Sequence, residues 1–377
     1  MNNNMGPALY VHIPFCRGKC RYCGFYSEPL QNQNINLFIS ALLKDLSGYD
    51  IHSPFNTIYI GGGSPSVLPR ENLFSFIEQI VSRWGVRTEF TVEVNPSQVD
   101  GDFLQTLCGL GVNRLSIGAQ SFDPAILKFL GRGHGSSDIV NAVKLAREGG
   151  FENVSLDLIF AIPGSDINIW RTDLQSAIDL GVEHISAYSL TYEEDTPLKT
   201  DLDAGLVTSM DEQTDCEMYE LAIDMLGLAG INQYEISNFA RDGFQCKHNL
   251  TYWANEPYVG IGPAAGGCWE GRRTLNVADV KDYIKRIEAG QSVFAMQEVV
   301  SGVDRACETA VLNLRRISGI NLAEFKEATG YDAMSLFGKV IEKNCQSGLL
   351  QIEHGSAFLT RKALPIADLV LCDFSAI

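Results

Sequence analysis

Tyr10-Val11-His12-Ile13-Pro14-Phe15-Cys16-Arg17-Gly18-Lys19-Cys20-Arg21-Tyr22-Cys23 carries a β-branched run straight into three cysteines spaced C-x₃-C-x₂-C. A regular helix would string these thiols over roughly 10 Å of axis, too far apart to converge on one compact ligand. Pro14 and Gly18 instead favour a segment that wraps around what it holds. Three thiolates are one too few for a closed four-thiolate site, so a cubane iron–sulfur cluster on Cys16, Cys20 and Cys23 keeps one iron open to an outside molecule. A structural zinc site and three unrelated core cysteines are the alternatives. Zinc would need a fourth ligand, and His12, the only nearby candidate, falls within the strand and points elsewhere.

Outward from this loop, short β-branched runs alternate with longer amphipathic ones. Strands are predicted at Leu9–Ile13, Thr57–Ile60, Glu89–Val94, Arg114–Ile117, Asn153–Ile159, His184–Leu190 and Ile231–Ile236. Helices are predicted between them at Ile35–Leu46, Glu71–Arg83, Asp138–Glu148, Trp170–Leu180 and Glu212–Ala229. Repeated strand–helix units imply an α/β fold with a parallel sheet covered by helices. About six such units make an open, partial (β/α) barrel with its active site at the C-terminal ends of the strands, where the cysteine loop lies. Other groups recur at that level: Gly61-Gly62-Gly63-Ser64-Pro65 after the second strand, Glu93 at the end of the third, Gln120 after the fourth, then Arg132 and Asp157. A lone glycine triplet reads as a tight turn and a lone carboxylate as a cap, but polar groups at a similar register in successive units converge on one mouth.

Ten cysteines in 377 residues, in a chain with ample apolar content and no signal peptide, read as reduced cytoplasmic thiols rather than a disulfide framework. No apolar run is long enough to span a bilayer. A formal net charge of −17 argues against nucleic acid as a partner. Beyond residue 240, Lys247-His248-Asn249-Leu250-Thr251-Tyr252-Trp253 sets a histidine beside aromatics. Imidazole is a common axial ligand of heme iron and flat rings favour a flat ligand, although a packed, hydrogen-bonded histidine is the more ordinary reading. From Gln291 onward the pattern changes to helices at Asp304–Arg315, Leu322–Thr329 and Ser335–Cys345 and short strands at Leu349–Glu353 and Ala357–Thr360.

The run Tyr10–Cys16 with Cys20 and Cys23 resembles the radical S-adenosylmethionine (SAM) superfamily, in the branch of oxygen-independent coproporphyrinogen III oxidases and HemW heme chaperones. The resemblance implies a partial (β/α)6 radical SAM barrel over 1–240, a connecting segment with the H-N-x-x-Y-W motif over 241–290, and a small winged-helix-like α+β module over 291–377. It implies a [4Fe–4S] cluster whose open iron chelates SAM. It also implies that Tyr10 packs by the cluster, that Gly62, Gly63 and Ser64 meet the amino end of SAM, and that Glu93, Gln120, Arg132 and Asp157 contact its polar groups, with Tyr22 near the adenine. His248, Tyr252 and Trp253 match the segment tied to heme in HemW proteins, but Ala264-Ala265-Gly266-Gly267 lacks the histidine that usually follows. The oxidase branch carries a further cysteine where Phe25 stands and a longer segment before the motif, so the chaperone is the reading favoured; oxidase or another tetrapyrrole-modifying activity is the alternative, and SAM cleavage stays open. Expected partners are heme or another tetrapyrrole, heme-accepting proteins of the respiratory chain and a second copy of the chain, with peripheral membrane association as a further expectation.

Overall fold

The computed structural model describes residues 6–375. The outermost residues of the 1–240 and 291–377 segments, and with them the start of the chain on which the leader reading rests, lie outside the described residues. Six strand–helix units open the molecule: β1 (Ala8–Ile13) and α1 (Ile35–Leu46), β2 (Phe55–Gly62) and α2 (Arg70–Arg83), β3 (Val86–Val94) and α3 (Gly101–Gly109). They continue with β4 (Arg114–Gln120), α4 (Pro124–Phe129) and α5 (Ser136–Glu148), β5 (Val154–Phe160) and α6 (Ile167–Asp179), then β6 (His184–Ser189), α7 (Pro197–Asp203) and α8 (Glu212–Leu228). β1 to β6 lie side by side in sequence order and pair in parallel, so this is the open, six-unit partial barrel expected from the sequence.

Successive strand residues point to opposite faces. One face is apolar: Leu9, Val11, Ile58, Ile60, Phe90, Val92, Leu115, Leu156 and Ile185 are buried in the helix-covered core. The other face is polar, presenting Tyr59, Glu93, Arg114, Ser116, Asp157 and Ser186 to an inner cavity. Strands of a parallel sheet buried on both faces read as continuous hydrophobic runs; the polar alternation here marks a lumen built to hold something.

The seventh predicted strand forms, as β7 (Asn232–Glu235), but not as a further parallel member: it reaches β6 through β8 (Asn238–Ala240), antiparallel to both. After α9 (Lys247–Trp253) the chain crosses to the far side of β1, where β9 (Tyr258–Ile261) pairs with it in parallel. β10 (Gly266–Trp269), β11 (Arg272–Asn276) and, beyond α10 (Val280–Glu288), β12 (Phe294–Val299) extend the same sheet antiparallel. The sheet of twelve strands, in the order β12-β11-β10-β9-β1-β2-β3-β4-β5-β6-β8-β7, therefore runs through the stretch 241–290 without closing on itself.

The last segment has the helix–strand–helix–helix–strand–strand order of a winged helix: α11 (Gly302–Leu314), β13 (Ile320–Asn321), α12 (Leu322–Thr329), α13 (Ala333–Gln346), β14 (Leu350–Glu353) and β15 (Ser356–Leu359), followed by α14 (Ala367–Ser375). β13 and α14 go beyond the sequence reading; two residues are too short for a pattern. Phe325, Phe337 and Phe374 pack in succession, the first pair edge-to-face and the second tilted, with ring centroids 5.9 and 5.1 Å apart, and lock α12, α13 and α14 together. No helix among the described residues is long and apolar enough to cross a membrane.

Candidate functional site

The chain from Cys16 to Ser27 has no helix. Phe15 and Cys16 pair with Glu28 and Pro29, and the Glu28 N–H donates to the Pro14 carbonyl at 2.7 Å, so the loop returns to its own start. Across the rim it is pinned by Arg21: its N–H donates to the Leu130 carbonyl (3.1 Å), its guanidinium lies over the Phe129 ring and pairs with Asp201, and its carbonyl accepts from Leu198 N (2.9 Å). Cys16, Cys20 and Cys23 are half-buried free thiols that face one cavity of ≈ 850 Å³ inside the barrel mouth. Burial pushes the Cys16 and Cys23 thiols up.

The glycine segment is tied to this loop. Gly63 N–H donates to the Ile13 carbonyl and Ser64 N–H to the Phe15 carbonyl, each at 2.8 Å. A β-carbon on Gly63 would sit 2.5 Å from the Phe15 carbonyl oxygen, and one on Gly62, at φ +107°, 2.6 Å from the His12 ring. The bare backbone thus seats the cysteine loop as well as bordering the cavity. Glu93 accepts from Gly62 N (3.1 Å) and the Tyr59 hydroxyl (2.7 Å). Burial lifts its carboxyl to about 7 against those two hydrogen bonds, and the nearby Asp157 charge adds to the rise. Ser64 donates to Gln98 (3.0 Å), a cavity residue that the sequence gave no reason to single out.

Arg132 reaches back under the loop, donating to the Gly118 carbonyl at 2.7 Å and to the Cys20 sulfur at 3.5 Å, with Nε buried and unpartnered. Gln120 borders the same cavity at φ +70°, at the irregularity where β4 and β5 lose register. Asp157 accepts from Ser116 (3.1 Å), and burial raises its carboxyl. Tyr22 also borders the cavity and packs on the Ile126–Leu130–Leu198 cluster. Tyr10 is set back: its hydroxyl hydrogen-bonds His12 Nδ1 (2.9 Å) and its ring faces Tyr59. His12 Nε2 is engaged by the Tyr26 carbonyl (3.0 Å), so both its nitrogens are used away from the thiols and the zinc alternative has no fourth ligand there.

At the opposite end of the strands, Glu89 caps α9, accepting from Lys247 N (2.9 Å), His248 N (3.1 Å) and the Cys246 thiol (3.4 Å). His248 is 1% exposed, with Nδ1 on the Thr57 hydroxyl and Nε2 on the Tyr252 hydroxyl, both at 2.8 Å. Burial, with the positive charge of Arg114, holds it down at about 3, so the ring is neutral. Trp253 turns away to lie under the Arg315 guanidinium at 4.6 Å. The H-N-x-x-Y-W helix therefore presents no free imidazole, yet Asn249 borders the same cavity as the thiols, so rim and base share one lumen. Arg114, which the sequence reading placed in a strand but not in the site, stands in that lumen and is 2% exposed; its only signal was a charge on the polar side of a strand.

A family model for the radical SAM superfamily matches residues 10–175, and one for the HemN C-terminal domain matches residues 300–366. The heme chaperone HemW of Bacillus subtilis (strain 168) is 35% identical over 361 residues, covering 94% of this chain and 95% of that one. This chain belongs to the HemW family of the radical SAM superfamily. HemW of Lactococcus lactis subsp. lactis (strain IL1403) is 34% identical, with 97% of each chain covered. The structure of the radical SAM enzyme coproporphyrinogen III oxidase (HemN) from Escherichia coli superposes with a TM-score of 0.85 at 18% identity, covering 99% of this chain and 91% of that one, which establishes the shared fold.

Proposed function

We propose that this chain binds heme, hands it to heme-accepting proteins, and does not decarboxylate coproporphyrinogen III. The observation that carries the reading is Phe25: it stands two residues after Cys23, where the oxidase pattern has a cysteine, and is 66% exposed at the cavity mouth. A ring there offers an apolar surface and no fourth thiol.

The donor set fits a [4Fe–4S] cluster with SAM: three free thiols on one non-helical loop face a cavity, and a buried cation sits beside one of them. When bound, the cluster supplies an open iron for the amino and carboxylate groups of SAM and a source of single electrons. Arg132 would hold the Cys20 ligand in place by its hydrogen bond to the sulfur. Glu93, poised near neutrality, accepts protons or an ammonium group, and the Gly62–Ser64 backbone closes one wall.

We place the heme contact on α9, with the constraint that His248 can ligate iron only after releasing Tyr252 or Thr57. A second copy of the chain and a membrane-associated acceptor are further proposed partners, testable by chromatography of the heme-loaded protein and by vesicle flotation. The deciding experiment is anaerobic reconstitution followed by heme titration in the Soret region and, separately, incubation with coproporphyrinogen III and SAM. Heme binding without conversion is expected. Conversion with SAM consumed in proportion would replace the chaperone by the oxidase.

A further inference from the structure

The lumen is deeper than the rim residues need. Arg114 and Gln120 are the two ends of β4 and both border the cavity, which therefore extends roughly 20 Å down the strand at about 3.3 Å per residue. The residues matched to SAM contacts cluster at the upper end; the lower end is floored by Arg114 and by Asn249 of α9.

Arg114 is a costly residue to place there. It is 2% exposed and its Nε is buried without a hydrogen-bond partner, which costs stability unless something repays it. The carboxylate below it, Glu89, directs its hydrogen-bonding oxygens to the N-terminus of α9 and reaches Arg114 by charge alone, with no hydrogen bond to the guanidinium. The two histidines at this end, His184 and His248, are buried and neutral, each with both ring nitrogens engaged, so neither supplies a positive charge. Glu93 and Asp157 stand higher in the lumen, toward the rim.

The geometry points to Arg114 as the anchor for a carboxylate of a second ligand in the lower lumen, and, resting on the heme reading above, that carboxylate is a propionate of the tetrapyrrole. Arginine suits this role because its planar fork matches a carboxylate with two parallel hydrogen bonds. The lumen wall level with it carries Tyr59, an aromatic face for a macrocycle, and Ile159 and Tyr188 line the same cavity nearer the rim.

The test uses the full chain with heme and with heme dimethyl ester, whose propionates are masked, titrated in the Soret region. The wild-type protein should bind the ester at least tenfold more weakly than heme. Arg114→Gln should bind heme and ester alike, and Arg114→Lys should recover part of the preference. Asn249→Asp, which adds a negative charge beside the floor at a half-buried position, should weaken heme severalfold and leave the ester unaffected; it decides the matter if Arg114→Gln fails to fold. Equal affinity of the wild type for heme and ester, or an undiminished preference for heme in Arg114→Gln or Asn249→Asp, overturns the anchor while heme binding stands. No binding of either compound removes the heme reading and the anchor with it.

Discussion

The two ends of the barrel are made of the same kinds of side chain and treat them oppositely. At the base, His248 spends its ring nitrogens on Thr57 and Tyr252, and His184 spends its own on Ser155 and Tyr234. At the rim, three thiols are free, Arg132 keeps a buried Nε unpaired and Glu93 is held near neutrality. Satisfied groups lock a structure, whereas unsatisfied ones beside a cavity await a ligand. Arg114 departs from this at the base, as does Thr91 beside it with an unpartnered hydroxyl, and of the two only Arg114 borders the cavity as a cation, which is why it is the group assigned a ligand.

The strongest way to break this contrast is at the thiols. Cys20→Ala should abolish the brown chromophore and the iron content after anaerobic reconstitution, while Cys108→Ala, away from the loop, retains both; a full cluster in Cys20→Ala would remove the rim as a metal site. Next in size is Gly63→Val. Its side chain collides with the Phe15 and Ile13 backbone, so cluster and SAM affinity should fall together, measured by iron content and calorimetry. Loss of SAM binding with an intact cluster would instead place the collision with the ligand.

At the base the effects should appear as stability. His248→Ala removes a fully buried ring and strands the Thr57 and Tyr252 hydroxyls, an expected loss of about 3–4 kcal/mol in urea unfolding; a loss below about 1 kcal/mol would show that the base is not locked. Glu93 binds its proton more tightly in the folded chain, at about 7, than at its ordinary 4.5. Its stabilising contribution is therefore complete below pH 4.5, declines as pH rises to 7 and is absent above, with a ceiling of about 3 kcal/mol. Glu93→Gln should flatten this decline in unfolding midpoints taken at pH 5 and pH 8; an unchanged slope would assign the proton elsewhere. The smallest effect belongs to Tyr252→Phe, about 1 kcal/mol for one hydrogen bond to His248.

The elements that were easiest to read carry their signal locally. α1, predicted at Ile35–Leu46, has those bounds, with Asn34 accepting from Leu37 N as its N-cap. β7 was legible as a strand but its direction was not, because a run of apolar residues says nothing about which neighbour it meets. Glu93, Gln120, Arg132 and Asp157 were legible as rim residues through their register and border one cavity. Gln98 and Arg114 were not, since each takes its meaning from groups far away in the chain.

By itself the sequence determined the ligand spacing of Cys16, Cys20 and Cys23, the succession of strand and helix, and the polar side of each strand, because ligand spacing and hydrophobic period are properties of a few consecutive residues. Only the tertiary structure decided which polar groups are spent and which are free. Thr57 meets His248 across 191 positions, and Glu89 caps a helix about as far away. Such pairings depend on how the sheet is ordered, and no local pattern encodes a partner that only folding brings within 3 Å.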